Sequence, residues 1–419
     1  MTIKLANHPS SITLCVLRLT LPLLCLAAAQ LLAADWPQFR GPHGNGVSDE
    51  TEAPAVLNAP KSIAWTADLP GRGLSSPIII GDRVFVTCSS GPQQERLHVF
   101  CFNASDGSKR WERQFWATGR TMTQTKTCVA APTPVSDGRR IFAHFSSNDV
   151  ICLDLDGNLL WLRGLTRDYP NASNSIGLSS SPVIVGDTLV VQVETDAESF
   201  VAGIDAATGV NRWKQERPRN RNWSSPVVFT DKPGRQVVAI QGLGGVVTLL
   251  PTTGEIVWNR TNESANISSP TPGNGVLYVS CRALVALQAD SESHTPKELW
   301  RNHLLAPGTA SPIVLSDHVF TLNSGGKLCC GKTSTGERLW QLQLKGAFSS
   351  SPITAGGKLY TVSEKGVVRV VDVTKPEGGQ VISELDLGQT ILCTPAIANG
   401  TLYIRSDAKL WKLVNAIAR

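Results

Sequence analysis

The 419-residue chain sets 39 Lys and Arg against 34 Asp and Glu, for a net charge of +5. Lys4 and Arg18 lie in a first segment with no acid, so the chain after residue 34 carries only +3, too little for a nucleic-acid footprint. With 36 Gly, 25 Pro and only two Met, and few apolar runs of helical period, the composition favours β structure over helix.

Residues 1–34 have the form of a secretory signal peptide. A basic start leads into an apolar run from Leu19 to Leu32, and Ala27, Ala29, Ala33 and Ala34 offer small residues for cleavage. Cys25 follows Leu23 and Leu24 rather than small residues, which argues against lipidation. No later stretch reaches the 18 apolar residues of a spanning helix, so no transmembrane span is expected once the signal is removed. The expected location is periplasmic or at the cell surface. Residues 35–60 then form an amino-terminal arm ahead of the repeats.

From residue 61 to residue 414 one unit recurs. A small or polar residue, a proline, a short apolar run, a turn and a second apolar run appear at Pro77, Pro132, Pro182, Pro226, Pro270, Pro312, Pro352 and Pro395. The gaps of 55, 50, 44, 44, 42, 40 and 43 residues suit a four-stranded propeller blade. Turn pairs such as Gly81-Asp82, Asn274-Gly275 and Asn399-Gly400 tolerate the positive φ of tight hairpins, and runs such as Leu277-Tyr278-Val279 alternate as strands do.

Five of the units close on a Gly-x-x-x-Trp signature, at Gly107/Trp111, Gly157/Trp161, Gly209/Trp213, Gly254/Trp258 and Gly336/Trp340. Trp300 holds the place without its Gly, and the seventh unit has Gly378-Gly379 but no Trp near Ile382. These indoles are expected to dock between blades, filling a wedge-shaped gap and donating N–H to backbone carbonyls. The eighth unit stops one strand short, whereas Ile63-Ala64-Trp65-Thr66 reads as a fourth strand with no blade before it. The prediction is an all-β, eight-bladed propeller, its last blade closed by the amino-terminal strand carrying Trp65.

The segments Asp205-Ala206-Ala207-Thr208-Gly209-Val210-Asn211-Arg212-Trp213 and Thr333-Ser334-Thr335-Gly336-Glu337-Arg338-Leu339-Trp340 resemble the tryptophan-docking repeat of pyrroloquinoline-quinone (PQQ) proteins. The same repeat builds the BamB-like propellers of outer-membrane protein assembly. Asp35-Trp36-Pro37-Gln38-Phe39-Arg40-Gly41 is similar to the opening of exported PQQ-type propellers. The resemblance implies a binding or assembly scaffold in the cell envelope, monomeric, whose partners are other envelope proteins or a small polar ligand. Two alternatives are a small PQQ-dependent oxidoreductase and a carbohydrate- or polymer-binding module. PQQ with calcium stays open as a cofactor, although no catalytic Asp or calcium set can be placed. Cys329-Cys330, the one candidate for the vicinal disulfide of such enzymes, lies in a strand pattern that points the two thiols to opposite faces.

The segments before the prolines should meet at one channel mouth, and they are rich in Ser and Thr. Small hydroxyl residues can satisfy backbone groups at a crowded axis; alternatively they line a polar funnel. Two connections are longer than their siblings, residues 116–126 and 168–175, and both are expected to overhang that mouth. The candidate binding residues are Arg120, Lys126, Asn171, Asn174, Asn222, Trp223 and Asn266, with no catalytic residue and no metal ligand assigned. Glu194, Asp196 and Glu198 alternate like cation ligands but suit an exposed edge better. Cys88 and Cys101 flank a hairpin and either face each other as a disulfide or stay buried thiols.

Overall fold

The computed structural model describes residue 2 and residues 35–416, apart from 174, 262–263 and 290–292. The signal-peptide assignment and Asn174 therefore lie outside the described residues. Within them, no helix is long and apolar enough to cross a membrane.

Eight four-stranded antiparallel sheets account for nearly all regular structure among the described residues. The blades occupy residues 78–116, 135–164, 183–216, 227–260, 271–302, 313–343, 353–386 and 396–413. Their first strands pack on one another around the axis, and the last meets the first to close the ring. Strand Ile63–Asp68 pairs antiparallel with Lys409–Leu413 and becomes the fourth strand of blade 8, as the sequence predicts. That pairing removes the two free edges a ring would otherwise keep at its seam.

The proline register needs one correction. In blade 2 the first strand starts at Val135, so Pro134 rather than Pro132 is the equivalent residue, and Thr133 takes the hydroxyl position before it. Two prolines flank Thr133, and spacing alone cannot choose between them.

Five of the seven docking indoles make the expected bond to a carbonyl. Trp65, Trp111, Trp161, Trp213 and Trp300 donate N–H to the carbonyls of Ala104, Leu155, Ala206, Pro251 and Thr333 on the next blade, at 2.7–3.1 Å. Each indole also lies on the turn glycine of that next blade. A Cβ on Gly107 (φ +74°) would come within 2.6 Å of the Trp65 ring, so the glycine serves both the left-handed turn and the close approach. Trp258 is fully buried, but its Nε1 finds no acceptor, so it docks by packing alone, and Trp340 lies against Gly379 of blade 7.

Blade 7 breaks the pattern in an informative way. Val370 pairs with Ser383 where Cys330 pairs with Trp340, so Ser383, not Ile382, stands at the docking position. Its hydroxyl accepts from the Leu57 N–H (2.8 Å) and donates to the Leu57 carbonyl (3.1 Å). Leu57 is buried in the same cluster as Val368, Val370 and Trp411. The arm thus fills the space that a missing tryptophan leaves.

The rest of the arm spans the face carrying the turns after the first strands. Trp36 bridges Ile79, and the Pro37 carbonyl accepts from Ser136. Arg40 is fully buried and donates to Thr271 Oγ1 and the Pro312 carbonyl. Val47 bridges Thr354, and the Glu50 carboxylate accepts from the amides of Asn399 and Gly400. Six of the eight blades are stitched together by these contacts.

The cysteine expectations divide. Cys88 pairs with His98 and Cys101 with Phe85, so the two thiols lie on opposite faces of their hairpin and form no disulfide. Cys329 and Cys330 enter different core clusters, as period-two alternation requires.

Candidate functional site

At the mouth opposite the arm, the axis opens into a cavity of about 470 Å³. Its wall is built by the residues before the strand prolines, and the Ser-Ser-Pro pattern has a two-part explanation. The first hydroxyl ties back to its own blade: Ser75 donates to the Thr87 carbonyl, Ser224 to Gln241 and Ser350 to Val362. The second bridges to the neighbouring blade. Ser76 N–H donates to Thr133 Oγ1 (2.8 Å) and Thr133 N–H to Ser181 Oγ (3.0 Å). The relay continues through Ser225, Ser269, Ser311 and Ser351 to Thr394 at 2.9–3.1 Å. A girdle of hydroxyls therefore satisfies backbone amides at the crowded axis and at the same time lines the cavity.

Above the girdle, Trp223, Ile267, Leu74 and Leu392 form an apolar collar, and Phe39 enters the lining from the arm. The longer connection at 117–127 contributes Gln124, Thr125, Lys126 and Thr127 and partly roofs the opening. It is held there from several directions. Lys126 Nζ pairs with both Glu364 oxygens (2.8 and 3.0 Å), Arg72 donates to the Thr125 carbonyl (3.0 Å), and Gln124 N–H donates to the Ile176 carbonyl (2.9 Å). Hydrogen bonds from Lys126 and Ser349 hold the Glu364 carboxyl below its ordinary pKa.

The seven sequence candidates do not all converge. Lys126 and Trp223 line the cavity. Arg120 lies outside it, in a shallow hollow with Gln93, Gln94 and Met122. Asn222 is buried, and its amide donates to the Gln241 carbonyl and Ser224 Oγ, so it supports the strand rather than facing a ligand. The Asn266 carbonyl accepts from the Trp223 and Ser224 amides, which fixes the Trp223 loop from behind. Asn171 is exposed, and its carbonyl accepts from Glu198 away from the cavity. A short helix, Leu165–Asp168, and the turn after it draw residues 168–172 toward the blade flank instead of the mouth. Phe39, Ile267 and Glu364 were missed. Glu364 sits 238 residues from Lys126, and no local pattern joins them.

The acidic alternation is no cation site. Glu194 is buried and paired with Arg217 (2.8 Å), Asp196 pairs with Arg221, and Glu198 pairs with Lys214 (3.3 Å). The exposed edge expected for all three therefore fails for Glu194. The lining of the axial cavity contains no Asp or Glu among the described residues, so it does not fit a carboxylate-held calcium ion. Cys393 lines the cavity, but burial pushes its thiol up to about 11, which leaves little thiolate for chemistry at neutral pH.

Comparison with known proteins agrees with this architecture. BamB of Burkholderia pseudomallei is 23% identical over 409 residues, covering 92% of this chain and 95% of that protein. Polyvinylalcohol dehydrogenase of a Sphingopyxis strain is 26% identical over 290 residues, but the match spans only 40% of the dehydrogenase. Two solved structures share the fold: BamB from Moraxella catarrhalis (TM-score 0.61, 19% identity, 84% of this chain and 99% of that one) and quinohemoprotein alcohol dehydrogenase from Comamonas testosteroni (0.66, 12%, 92% and 81%). The family described as outer membrane protein assembly factor BamB matches residues 47–221, 197–293 and 284–378. With its eight Trp-docked blades and most of its length inside that match, the chain belongs to the BamB-type PQQ-repeat propeller family.

Proposed function

We propose that this protein is an exported propeller that acts as a binding and assembly scaffold in the cell envelope, with other envelope proteins as its partners. The alignment with the Burkholderia assembly factor carries the reading, because the two chains match over nearly their whole lengths, 92% of this one and 95% of that one. The working surface is the mouth: the roofing connection at 117–127, Lys126 and Trp223, with Arg120 in the hollow beside it. Arg120 is exposed and offers a fork for a carboxylate, and Trp223 offers a ring face.

The test is capture of partners from a native envelope extract by the mature protein and by the Arg120→Ala/Lys126→Ala double variant. Reduced recovery of the same partners from a variant with unchanged melting temperature supports the mouth. Equal recovery moves the search to the opposite face, where a hollow of about 460 Å³ lies beside Gln38, His43 and Asn274.

A further inference from the structure

The residue two places after each docking position points toward the next blade as the docking residue does, because side chains alternate along a strand. In four blades it donates to the carbonyl of the turn glycine there: Arg113 to Gly157, Arg163 to Gly209, Gln215 to Gly254 and Asn302 to Gly336, at 2.6–3.1 Å. Arg260 reaches Glu298 on the next blade (2.6 Å), and Leu342 and Leu385 pack against the core instead. Where the strand Ile63–Asp68 of blade 8 faces blade 1, the equivalent residue is Ala67. A methyl group spans no such distance, and among the described residues no donor meets the Gly107 carbonyl.

The short side chain leaves a groove of about 430 Å³ between the outer strands of blades 8 and 1, bordered by Ala67 and Gly107. The rings of Phe100 and Phe102, stacked at 5.8 Å, give it an aromatic wall. Its lining sets two carboxylates, Asp68 and Glu112, against one ammonium, Lys109. That ammonium is already held by Glu112 Oε2 (2.9 Å). Glu112 also accepts from His98 and Gln114, and Asp68 accepts from Lys409 (2.7 Å). A carboxylate offers about four lone-pair sites, so both acids keep acceptor capacity, Asp68 the more of the two.

We propose that this groove is an interaction site for an arginine side chain presented by a partner protein, its guanidinium donating to the Gly107 carbonyl and the Asp68 carboxylate while its stem lies along the phenylalanine wall. The fold holds arginine in the corresponding place twice already, in Arg113 and Arg163, each bonded to the turn-glycine carbonyl of the next blade. A planar guanidinium can donate to a carbonyl and a carboxylate at once and packs on aromatic faces, which suits this lining better than an ammonium does. A partner's carboxylate would meet two acids and an unpaired carbonyl. The groove lies apart from the mouth, and the inference shares with the scaffold reading only that the partner is a protein.

The probe is the capped tripeptide Ac-Ala-Arg-Ala-NH2, with citrulline in place of arginine as its uncharged counterpart, read by saturation-transfer NMR on the mature full chain. The expected result is saturable binding of the arginine peptide, about fivefold or more tighter than the citrulline peptide, as a charge-assisted hydrogen bond implies. Ala67→Arg fills the groove from within the chain, as Arg113 and Arg163 do, so it should abolish saturable binding and hold or raise the melting temperature. Ala67→Gln, matched by Gln215, serves if the longer side chain prevents folding. Absence of saturable binding, equal affinity for the two peptides, or undiminished binding to a folded Ala67 variant overturns the proposal. The Arg120→Ala/Lys126→Ala protein should bind the peptide as the unsubstituted chain does; loss of binding there places the peptide at the mouth and also overturns it. Normal partner capture by that double variant sinks the reading of the mouth and leaves the arginine groove standing.

Discussion

At the level of single residues, the two kinds of tryptophan should separate cleanly. Trp213 is buried between blades, holds the Pro251 carbonyl and covers Gly254, so Trp213→Ala removes packing and leaves a carbonyl unpaired. A loss of about 3–5 kcal/mol in denaturant unfolding is expected, the usual range for truncating a buried large aromatic. Trp223→Ala should cost far less, because that ring borders an open cavity. Comparable losses at both positions would contradict the docking register. Ser383 deserves the same treatment. Ser383→Ala leaves the Leu57 N–H and carbonyl without partners, so about 1–3 kcal/mol should be lost although only a hydroxyl is removed. Ser383→Thr, which keeps the hydroxyl, should recover much of it.

Among elements, the roofing connection at 117–127 and the amino-terminal arm each have a measurable dependence. The connection is latched by the Lys126–Glu364 pair, and Glu364 has a folded pKa below its ordinary value of about 4.3. A lowered acid contributes above its unfolded pKa and loses that contribution as pH falls through the lower folded value. The protection of amides at residues 120–127, taken relative to their intrinsic exchange rates, should therefore fall on acidification into that window, whereas Glu364→Gln should lower it at neutral pH and flatten the pH response. Both groups are partly exposed, so the gain in global stability is small and the readout is local. For the arm, Leu57→Ala should cost about 2–5 kcal/mol, since Leu57 is buried with blade 7 and blade 8 residues. A surface tail would give nothing measurable, so a null result would remove the arm from the blade 7 gap.

For the whole molecule, closure depends on residues far apart in the chain. Deleting residues 35–68 strips the fourth strand from blade 8, the filler from blade 7 and the contacts across six blades. The truncated chain should melt well below the full chain, or fail to fold, because it leaves an open strand edge at the seam. An unchanged melting temperature would sink the interlocked ring. The hydroxyl girdle adds a second set of blade-to-blade bonds at the axis, running from Ser76 of blade 1 to Thr394 of blade 8 and stopping short of the seam. Ser269→Ala in its middle should cost about 1 kcal/mol, the net value of one hydrogen bond, and scanning calorimetry would measure it.

The repeat was legible in the linear chain because each blade is a local object. Its turns, its alternating strands and its Gly-x-x-x-Trp closure lie within about 45 residues, and every unit repeats the same physical problem. The amino-terminal strand of blade 8 could be read for the same reason, since Trp65 keeps the period. What joins blades 7 and 8, and what surrounds the cavity, obeys no such period. Leu57 meets Ser383 across 326 residues, Lys126 meets Glu364 across 238, and Phe39 reaches the axis from an arm outside the repeat. Asn222 and Asn266 sat in the right segments, yet their side chains went to backbone carbonyls, Asn222 because a buried amide must be satisfied before it can serve a ligand and Asn266 because it ties its loop to Arg221. Composition and period determined the blades; only closure of the ring decided which side chains face the cavity, because that is set by contacts between residues the chain keeps far apart.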